Sequence, residues 1–287
     1  MIPSEYTEKC QIPREETICL LETNKYQKIF GTAARHIKSR IEDKSFSPLA
    51  NYSHMDKLMK ECTETNQAFT QVLVLGGRDI FKEIPTEKNF TVFAAPYVGP
   101  DGKKRQPLPK YVPNHIVPRI NKMQRAYLKF LDKHYDSALP KRPGFIVQSG
   151  YRSPFYQAGL QIRVINEKGI RHALKSTMPP GASQHADYDH CAIDFCNLGD
   201  EYGKAKRQDG THIGFERTME FLWLLENGSD YGFWLPYYPN PSNVLNETGA
   251  DGVLVEPWHF QFKENAEELM NKNNVIDLFL ARLEKAK

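Results

Sequence analysis

Three short motifs, far apart along the chain, combine histidines with carboxylates and so constrain how the chain can fold. Ser183-Gln184-His185 and Ala192-Ile193-Asp194 lie in the middle of the sequence, and Glu256-Pro257-Trp258-His259 lies near its end. Together they supply two imidazoles, one ligand-type carboxylate and one further carboxylate. A catalytic zinc is typically held by three such ligands and keeps a position open for water. The combination predicts a metal site with a general base, which requires the motifs to converge.

The first two motifs can share a metal only if the chain reverses between them. Nine extended residues would separate His185 from Asp194 by about 30 Å, whereas ligands of one zinc lie about 3 to 4 Å apart. Residues 186–189 contain two Asp and are suited to that turn, and 190–195 read as a short buried strand. His190, about 13 Å from Asp194 along such a strand, is expected near the metal as a neighbour or pocket wall and not as a ligand.

The third motif is predicted to lie in a kinked strand. Val253-Leu254-Val255 and Phe260-Gln261-Phe262 are β-formers, but Pro257 cannot donate a ladder hydrogen bond. Residues three apart on a regular strand face opposite ways, so a kink at Pro257 would let Glu256 and His259 both approach the metal. The alternative is an ordinary strand with a surface glutamate and a core histidine.

These motifs, preceded by Ser149-Gly150-Tyr151-Arg152-Ser153 and Gln157, resemble in content and order the VanY-type D-alanyl-D-alanine carboxypeptidases. That family belongs to the LAS group of zinc peptidases, which also includes D-Ala-D-Ala dipeptidases, some phage endolysins and the hedgehog signalling domain. The resemblance covers roughly residues 110 to 265. It implies an α+β fold with a small, mostly antiparallel sheet and helices packed on one side.

The resemblance also implies metal and catalytic roles. His185, Asp194 and His259 would bind Zn²⁺, and Glu256 would be the general base that moves a proton from water to the leaving amine. Arg152 would stabilise the oxyanion, for which its planar, permanently charged fork is suited. The alternative for Arg152 is a solvated surface side chain.

Four further residues are implied around the substrate. Ser183 is expected to help hold it, and Gln157 to support the loop that carries the arginine. Tyr151 and Trp258 are expected in the pocket wall or in the core.

The sequence departs from the family pattern between His185 and Asp194. The usual spacing is shorter by two residues, and a glycine usually stands where this chain has His190. The loop must therefore turn differently, and an inactive member of the group is an alternative. Cys191 and Cys196 offer thiol ligation as another alternative, but a mixed His/Cys set would be more typical of a structural zinc site. Residues 196–213 and 237–252 are predicted to be long loops beside the site.

Elsewhere the pattern predicts helices over about 115–135, 153–168, 215–225 and 264–286, and strands over about 145–147 and 231–235. The last helix is expected to bury Leu269, Val275, Leu278, Phe279 and Leu283. Before residue 110 we predict helices around 26–41 and 55–69, a buried strand over 71–77, and a linker over 96–113. This places a boundary near 110: residues 1–110 form a mainly helical N-terminal extension of unknown role, and 111–287 form the zinc peptidase domain.

Composition is that of an ordinary globular protein, with 40% hydrophobic and 25% charged residues and a formal net charge of +3. That excess is too small for a nucleic-acid partner, and no apolar run is long enough for a membrane span. Five cysteines without metal spacing favour free thiols and a reducing compartment. The first thirty residues lack the apolar core of a signal peptide. Two localisations are therefore open. The protein would reach the cell envelope after removal of a leader, by unconventional export or through phage lysis; otherwise it would be cytoplasmic.

The leading hypothesis is a zinc peptidase that removes the terminal D-alanine from peptidoglycan stem peptides. Its partner would be peptidoglycan or another D-Ala-terminated peptide. One alternative is a peptidoglycan endopeptidase, since the motifs fix the chemistry and the loops select the bond. The other is a catalytically inactive, zinc-containing binding module. Glu256 favours an enzyme, and the sequence does not indicate an oligomeric state.

Overall fold

The computed structural model describes residues 15–75, 84–93, 97–98, 104–105, 109–134, 146–196, 205–206, 212–213, 215–249, 254–269 and 272–285. Within them the helices are α1 (Glu15–Leu21), α2 (Asn24–Glu42), α3 (Tyr52–Glu61), α4 (Thr63–Leu75), α5 (Val117–His134), α6 (Pro154–Lys168), α7 (Ile170–Ser176), α8 (Met219–Asn227), α9 (Ala266–Leu269) and α10 (Lys272–Lys285). The strands are β1 (Phe90–Phe93), β2 (Tyr97–Val98), β3 (Lys104–Arg105), β4 (Lys110–Pro113), β5 (Ile146–Ser149), β6 (Ala192–Cys196), β7 (Ala205–Lys206), β8 (His212–Ile213), β9 (Phe233–Trp234) and β10 (His259–Phe262). Among the helices in these ranges, none has the length and apolarity that a membrane crossing needs.

The chain divides by its contacts into two compact units, and each unit is built from two separate stretches of sequence. The first unit takes its described residues from Met1–Glu87 and Arg152–Asp187, and the second from Lys88–Tyr151 and Tyr188–Lys287. The boundary near residue 110 that the sequence suggests stays a prediction.

The first unit is helical, and its core lies where α2, α4 and α6 pack together. Helix α2 buries residues at helical spacing, among them Phe30, Ile37 and Ile41. Helix α6 begins as predicted, because the Ser153 side chain accepts a hydrogen bond from the backbone N–H of Tyr156 at 3.2 Å and a proline follows it. A Cβ atom on Gly159 would lie 2.8 Å from Phe46 Cε1, so glycine allows Phe46 to approach this helix.

The prediction of a buried strand over 71–77 was wrong. Helix α4 extends through Leu75, and residues 76–77 lie outside the described ranges. Ala68, Phe69, Val72 and Leu73 are buried, at positions that share one face of a helix. A short apolar run is compatible with either a buried strand or a buried helix face, and here the packing of α4 on α2 and α6 decides for the helix.

The second unit contains a four-stranded antiparallel sheet with the order β5-β6-β10-β9. Aromatic contacts join the helices of this unit: Tyr127 of α5 packs on Trp223 of α8 at 5.4 Å between ring centroids, and Phe221 of α8 packs on Phe279 of α10 at 4.9 Å. A smaller antiparallel pair, β1 with β4, aligns Phe90 with Pro113. These helices and antiparallel strands confirm the α+β fold class expected from the sequence.

Most elements predicted for the second half are present. Helices α9 and α10 lie within the predicted closing helix, and residues 270–271 between them lie outside the described ranges. Val275, Leu278 and Phe279 are buried as expected, but Leu269 is 44% exposed, so its predicted burial was wrong. Residues 237–249 form the predicted loop, whereas most of the predicted loop 196–213 lies outside the described ranges. Half of the predicted linker 96–113 also lies outside them, and its described residues include the paired strands β2, β3 and β4, so the prediction of a linker was wrong there.

Candidate metal centre

Antiparallel pairing of β6 with β10 brings two of the predicted ligands together. Asp194 and His259 are direct partners in the strand register, and cross-strand partners place their side chains on the same face. His259 Nδ1 lies 3.1 Å from Asp194 Oδ1. Both residues are buried, so each polar side chain requires a partner such as an ion or a hydrogen-bonding group.

Glu256 reaches the same point through a turn that precedes β10. The backbone N–H of His259 donates to the carbonyl of Glu256 at 3.0 Å, which closes a turn over Pro257 and Trp258. The structure therefore has a turn where the sequence predicted a kinked strand. As a result Glu256 Oε2 lies 3.7 Å from His259 Nδ1, although the two residues are three positions apart.

His185 lies in the short helical turn Gln184–Ala186 and is almost fully buried. One ligand atom each from His185, Asp194 and His259 falls within 4.8 Å of the other two. Ligands at about 2.0 to 2.2 Å from a tetrahedral zinc are expected about 3 to 4 Å apart. The donor set of two imidazoles and one carboxylate therefore fits a catalytic zinc, with small adjustments of the side chains.

The other ligand candidates are accounted for differently. Neither His190 nor a cysteine is part of the group of three. The Cys191 thiol donates to the carbonyl of Ala192 at 3.3 Å, and the Cys196 thiol donates to Gln148 Oε1 at 3.1 Å. His190 is half-buried in the turn before β6. The thiol alternative thus has no support from the described residues.

Arg152 is held by its own unit at two points. Its backbone N–H donates to the carbonyl of His185 at 3.0 Å, and its Nη1 donates to Gln157 Oε1 at 3.3 Å. The Gln157 side chain is buried, and its Nε2 donates to the carbonyl of Met178 at 3.1 Å. Gln157 therefore contacts the guanidinium itself, and its expected role in supporting the loop that carries Arg152 stays a prediction.

Three further predicted residues have distinct surroundings. Ser183 is nearly buried, and the turn that follows it does not use its hydroxyl as a cap. Tyr151 is only 3% exposed and packs on Phe90 at 4.8 Å between ring centroids, as expected for a core residue. Trp258 is half-buried, and its carbonyl accepts a hydrogen bond from the N–H of Phe195 at 2.8 Å.

Sequence reasoning missed Tyr237. Its ring lies against the ring of His259, with 4.9 Å between centroids, and its carbonyl accepts from the N–H of Glu256 at 3.2 Å. The loop that Tyr237 opens is anchored by Arg282 of α10, whose Nη1 donates to the carbonyls of Val244 and Asn246 at 2.7 and 2.9 Å. A tyrosine in a loop belongs to no motif. The one signal in the sequence was that Tyr237 lies in a loop predicted to be beside the site.

Comparisons with known proteins give one family and several similar structures. The sequence model of the family described as VanY, D-alanyl-D-alanine carboxypeptidase, matches residues 121–265. No curated protein is significantly similar to the chain.

Three solved structures are similar over part of the chain. The LdcB LD-carboxypeptidase is 22% identical, with a TM-score of 0.40, over 60% of this chain and 69% of that one. A mutant of the vancomycin resistance D,D-pentapeptidase VanY in complex with Zn(II) is 21% identical, with a TM-score of 0.38, over 66% of this chain and 90% of that one. The L,D-carboxypeptidase DacB from Streptococcus pneumoniae is 20% identical, with a TM-score of 0.35, over 65% and 89%. Similarities of this size do not establish an activity.

Proposed function

Because the chain belongs to the VanY family of D-alanyl-D-alanine carboxypeptidases, we propose that it is a zinc-dependent peptidase that cleaves peptides containing D-amino acids. The family and the enzyme class expected from the motifs are confirmed by the family match. The simplest substrate is the terminal D-alanine of a peptidoglycan stem peptide. The name of the family supports this choice.

The observation that carries the proposal is the convergence of two imidazoles and two carboxylates from separate motifs. His185, Asp194 and His259 would hold the ion, supported by the short distances between their ligand atoms. Zn²⁺ bound there would polarise a carbonyl oxygen and lower the pKa of water toward about 7. Their burial keeps bulk water from competing for the same groups.

Glu256 is proposed as the general base. Its Oε2 would accept a proton from the attacking water and then deliver that proton to the nitrogen of the leaving amine, so that the carboxylate is regenerated after each cycle. The 3.7 Å between this oxygen and His259 Nδ1 supports the role, because it sets the carboxylate beside the ligand cluster.

Arg152 is proposed to bind negative charge. Its fork can accept either the oxyanion of the transition state or the terminal carboxylate of the peptide. The hydrogen bond from its Nη1 to Gln157 supports this role, because it orients the guanidinium before substrate arrives. Ser183 and Trp258 are proposed to complete the surroundings of the substrate, whereas Tyr151 is buried in the core.

The test is the substitution Glu256→Gln. The amide preserves the shape of the side chain but cannot accept a proton, so zinc content should be retained while hydrolysis of D-Ala-D-Ala peptides falls by about 10² to 10⁴. The matched control is Glu247→Gln, a charge change on an exposed residue of the neighbouring loop, which should leave hydrolysis unchanged.

Analysis of the products separates the remaining alternatives. Mass spectrometry of digested peptidoglycan should show released alanine for a carboxypeptidase and divided stems for an endopeptidase. A protein that binds zinc but converts neither substrate would be the inactive binding module, and the enzyme proposal would be rejected.

A further inference from the structure

The segment between the first two proposed ligands is irregular. From Asp187 to Cys191 the chain forms neither helix nor strand, although it joins His185 to Asp194. A segment without a hydrogen-bonded ladder is fixed only by the contacts of its individual residues, and each residue that is fixed costs conformational entropy. The position of this segment therefore depends on what holds Tyr188 and Asp189.

Two consecutive residues of the segment are held by a part of the chain far away in sequence. The Tyr188 ring packs edge-on against Phe90, with 5.5 Å between centroids, and lies 5.2 Å from the ring of His115. The Tyr188 hydroxyl donates to the carbonyl of Asn89 at 3.3 Å. His115 Nε2 lies 3.1 Å from the carbonyl oxygen of Asp189. A carbonyl can only accept, so this bond requires the His115 tautomer that is protonated at Nε2.

The residues that contact Tyr188 and Asp189 are themselves packed against neighbouring aromatic rings. Phe90 begins β1 and is buried, with its ring 6.1 Å from Tyr111 of β4 and 4.8 Å from Tyr151. His115 lies two residues after the end of β4, and its ring also lies 6.0 Å from Phe262 of β10. Strand β1 pairs with β4, so that Phe90 lies opposite Pro113 and the two stretches of chain that carry Asn89 and His115 are held next to each other. Strand pairing and ring contacts therefore hold this group, whereas the segment that it contacts lies in no strand or helix.

We propose that Asn89, Phe90 and His115 are positioning residues that clamp the loop between two metal ligands. This inference rests on the proposed function, in which His185 and Asp194 bind zinc. The clamp comes from residues before the family match, which begins at residue 121. It gives the β1–β4 region a role in the site: the loop is ordered before the ion arrives, so metal binding does not have to supply the free energy of ordering it.

The experiment measures zinc affinity by competition with a chelator, in the full-length protein. Tyr188→Ala removes both ring contacts and the hydroxyl, and it should weaken zinc binding by about 10- to 100-fold, the range typical for groups that orient ligands. Tyr188→Phe retains the ring and should restore most of the affinity. His115→Ala removes the bond to Asp189 at an exposed position, so it should weaken zinc binding without unfolding the protein.

A second readout does not involve the metal. Hydrogen exchange of the peptide that covers residues 186–191, measured in the metal-free protein, should be faster in Tyr188→Ala and His115→Ala than in the wild type. The control is Tyr52→Ala, which removes a partly exposed tyrosine whose ring contacts Phe155. It should change neither the zinc affinity nor the exchange of this peptide.

The outcomes are distinguishable. Weaker zinc binding together with faster exchange in both clamp variants supports the inference. If the wild type binds zinc and both variants bind it equally tightly, the clamp is refuted and the proposed function stands. If the wild type binds no zinc, the proposed function fails and the clamp fails with it. Should Tyr188→Ala not fold, His115→Ala decides.

Discussion

At the scale of the residue, hydrogen bonds restrict the polar side chains of the candidate site to few conformations. Gln157 shows this most clearly. It is buried, it receives the Nη1–H of Arg152 and it donates to the carbonyl of Met178. Both ends of its amide are used, so the orientation of the amide is fixed, and through it the direction of the guanidinium.

We predict that Gln157→Leu lowers kcat on D-Ala-D-Ala peptides. Leucine fills a similar volume but cannot accept from Arg152, so the guanidinium loses its orientation. Loss of one direct oxyanion donor costs about 10² to 10³ in kcat, and a misoriented donor should cost about tenfold. Steady-state kinetics would measure the effect, which should fall mainly on kcat and not on KM.

The matched control for this prediction is Gln161→Leu. Gln161 lies one turn further along α6, is equally buried and donates to the carbonyl of Thr177 at 3.3 Å. Each substitution leaves a buried carbonyl without its donor and should reduce the free energy of unfolding by about 1 to 3 kcal/mol. Equal losses of activity in the two variants would mean that Gln157 acts only through stability.

Residue types and their order predicted much of this site, because a metal needs particular donors and a general base needs a carboxylate. Sequence also placed Glu256 near His259, although it attributed the approach to a kinked strand and not to a turn. It did not predict Tyr237, since the contact between two rings is decided by the path of a loop, and no local pattern encodes that path.

At the scale of the element, helix α1 is attached to α7 through charged side chains. Arg171 of α7 forms ion pairs with Glu15 and Glu22, with its Nε 2.9 Å from Glu22 Oε1. The hydrogen bond from Arg171 is the largest cause that lowers the pKa of Glu15 below its ordinary value. All three side chains are exposed, so the attachment is weak and sensitive to salt.

We predict that this attachment is lost in acid. A carboxyl whose folded pKa is lowered contributes stability above its unfolded pKa, about 4.3 for Glu, and that contribution disappears as the pH falls through the lowered folded pKa. Arg171→Ala should therefore melt below the wild type at pH 7, and the difference should vanish in acid below that lowered pKa. Lys175→Ala, exposed on the same helix, is the control. A difference that persists unchanged in acid would contradict the prediction.

Elements with a clear period were predictable, and those decided by tertiary packing were not. The cap and proline at Ser153-Pro154 specify the start of α6 locally. The apolar run at 71–75 has no such marker, and the burial of Val72 and Leu73 on one helix face follows from the neighbouring helices. Leu269 was expected in the core because of its place in the predicted closing helix, but its side chain is largely exposed.

At the scale of the whole molecule, the first unit is discontinuous in sequence. Helices α1 to α4 precede residue 87, and α6 and α7 are supplied after residue 152. Phe46 shows what the later stretch contributes, because it packs on Tyr156 at 5.6 Å between ring centroids and on Phe69 at 6.3 Å. Without α6, Phe46 would lose part of the surface that buries it.

We predict that a fragment of residues 1–110 does not fold cooperatively by itself. Its core would lack α6, so apolar side chains that are buried in the complete chain would face water. Thermal unfolding followed by circular dichroism should show a broad, non-cooperative change, compared with a sharp transition for the full chain. A sharp transition of the fragment would instead support the N-terminal extension as an independent domain.

The interrupted path of the first unit has a consequence during synthesis on the ribosome. Helices α2 and α4 leave the exit tunnel long before α6 and α7 are translated. At typical elongation rates the delay is roughly 5 to 20 s, much longer than the microseconds in which helices form. For that time the apolar surfaces of α2 and α4 that α6 covers in the complete unit face water, and we expect chaperones to act on the nascent chain during this interval.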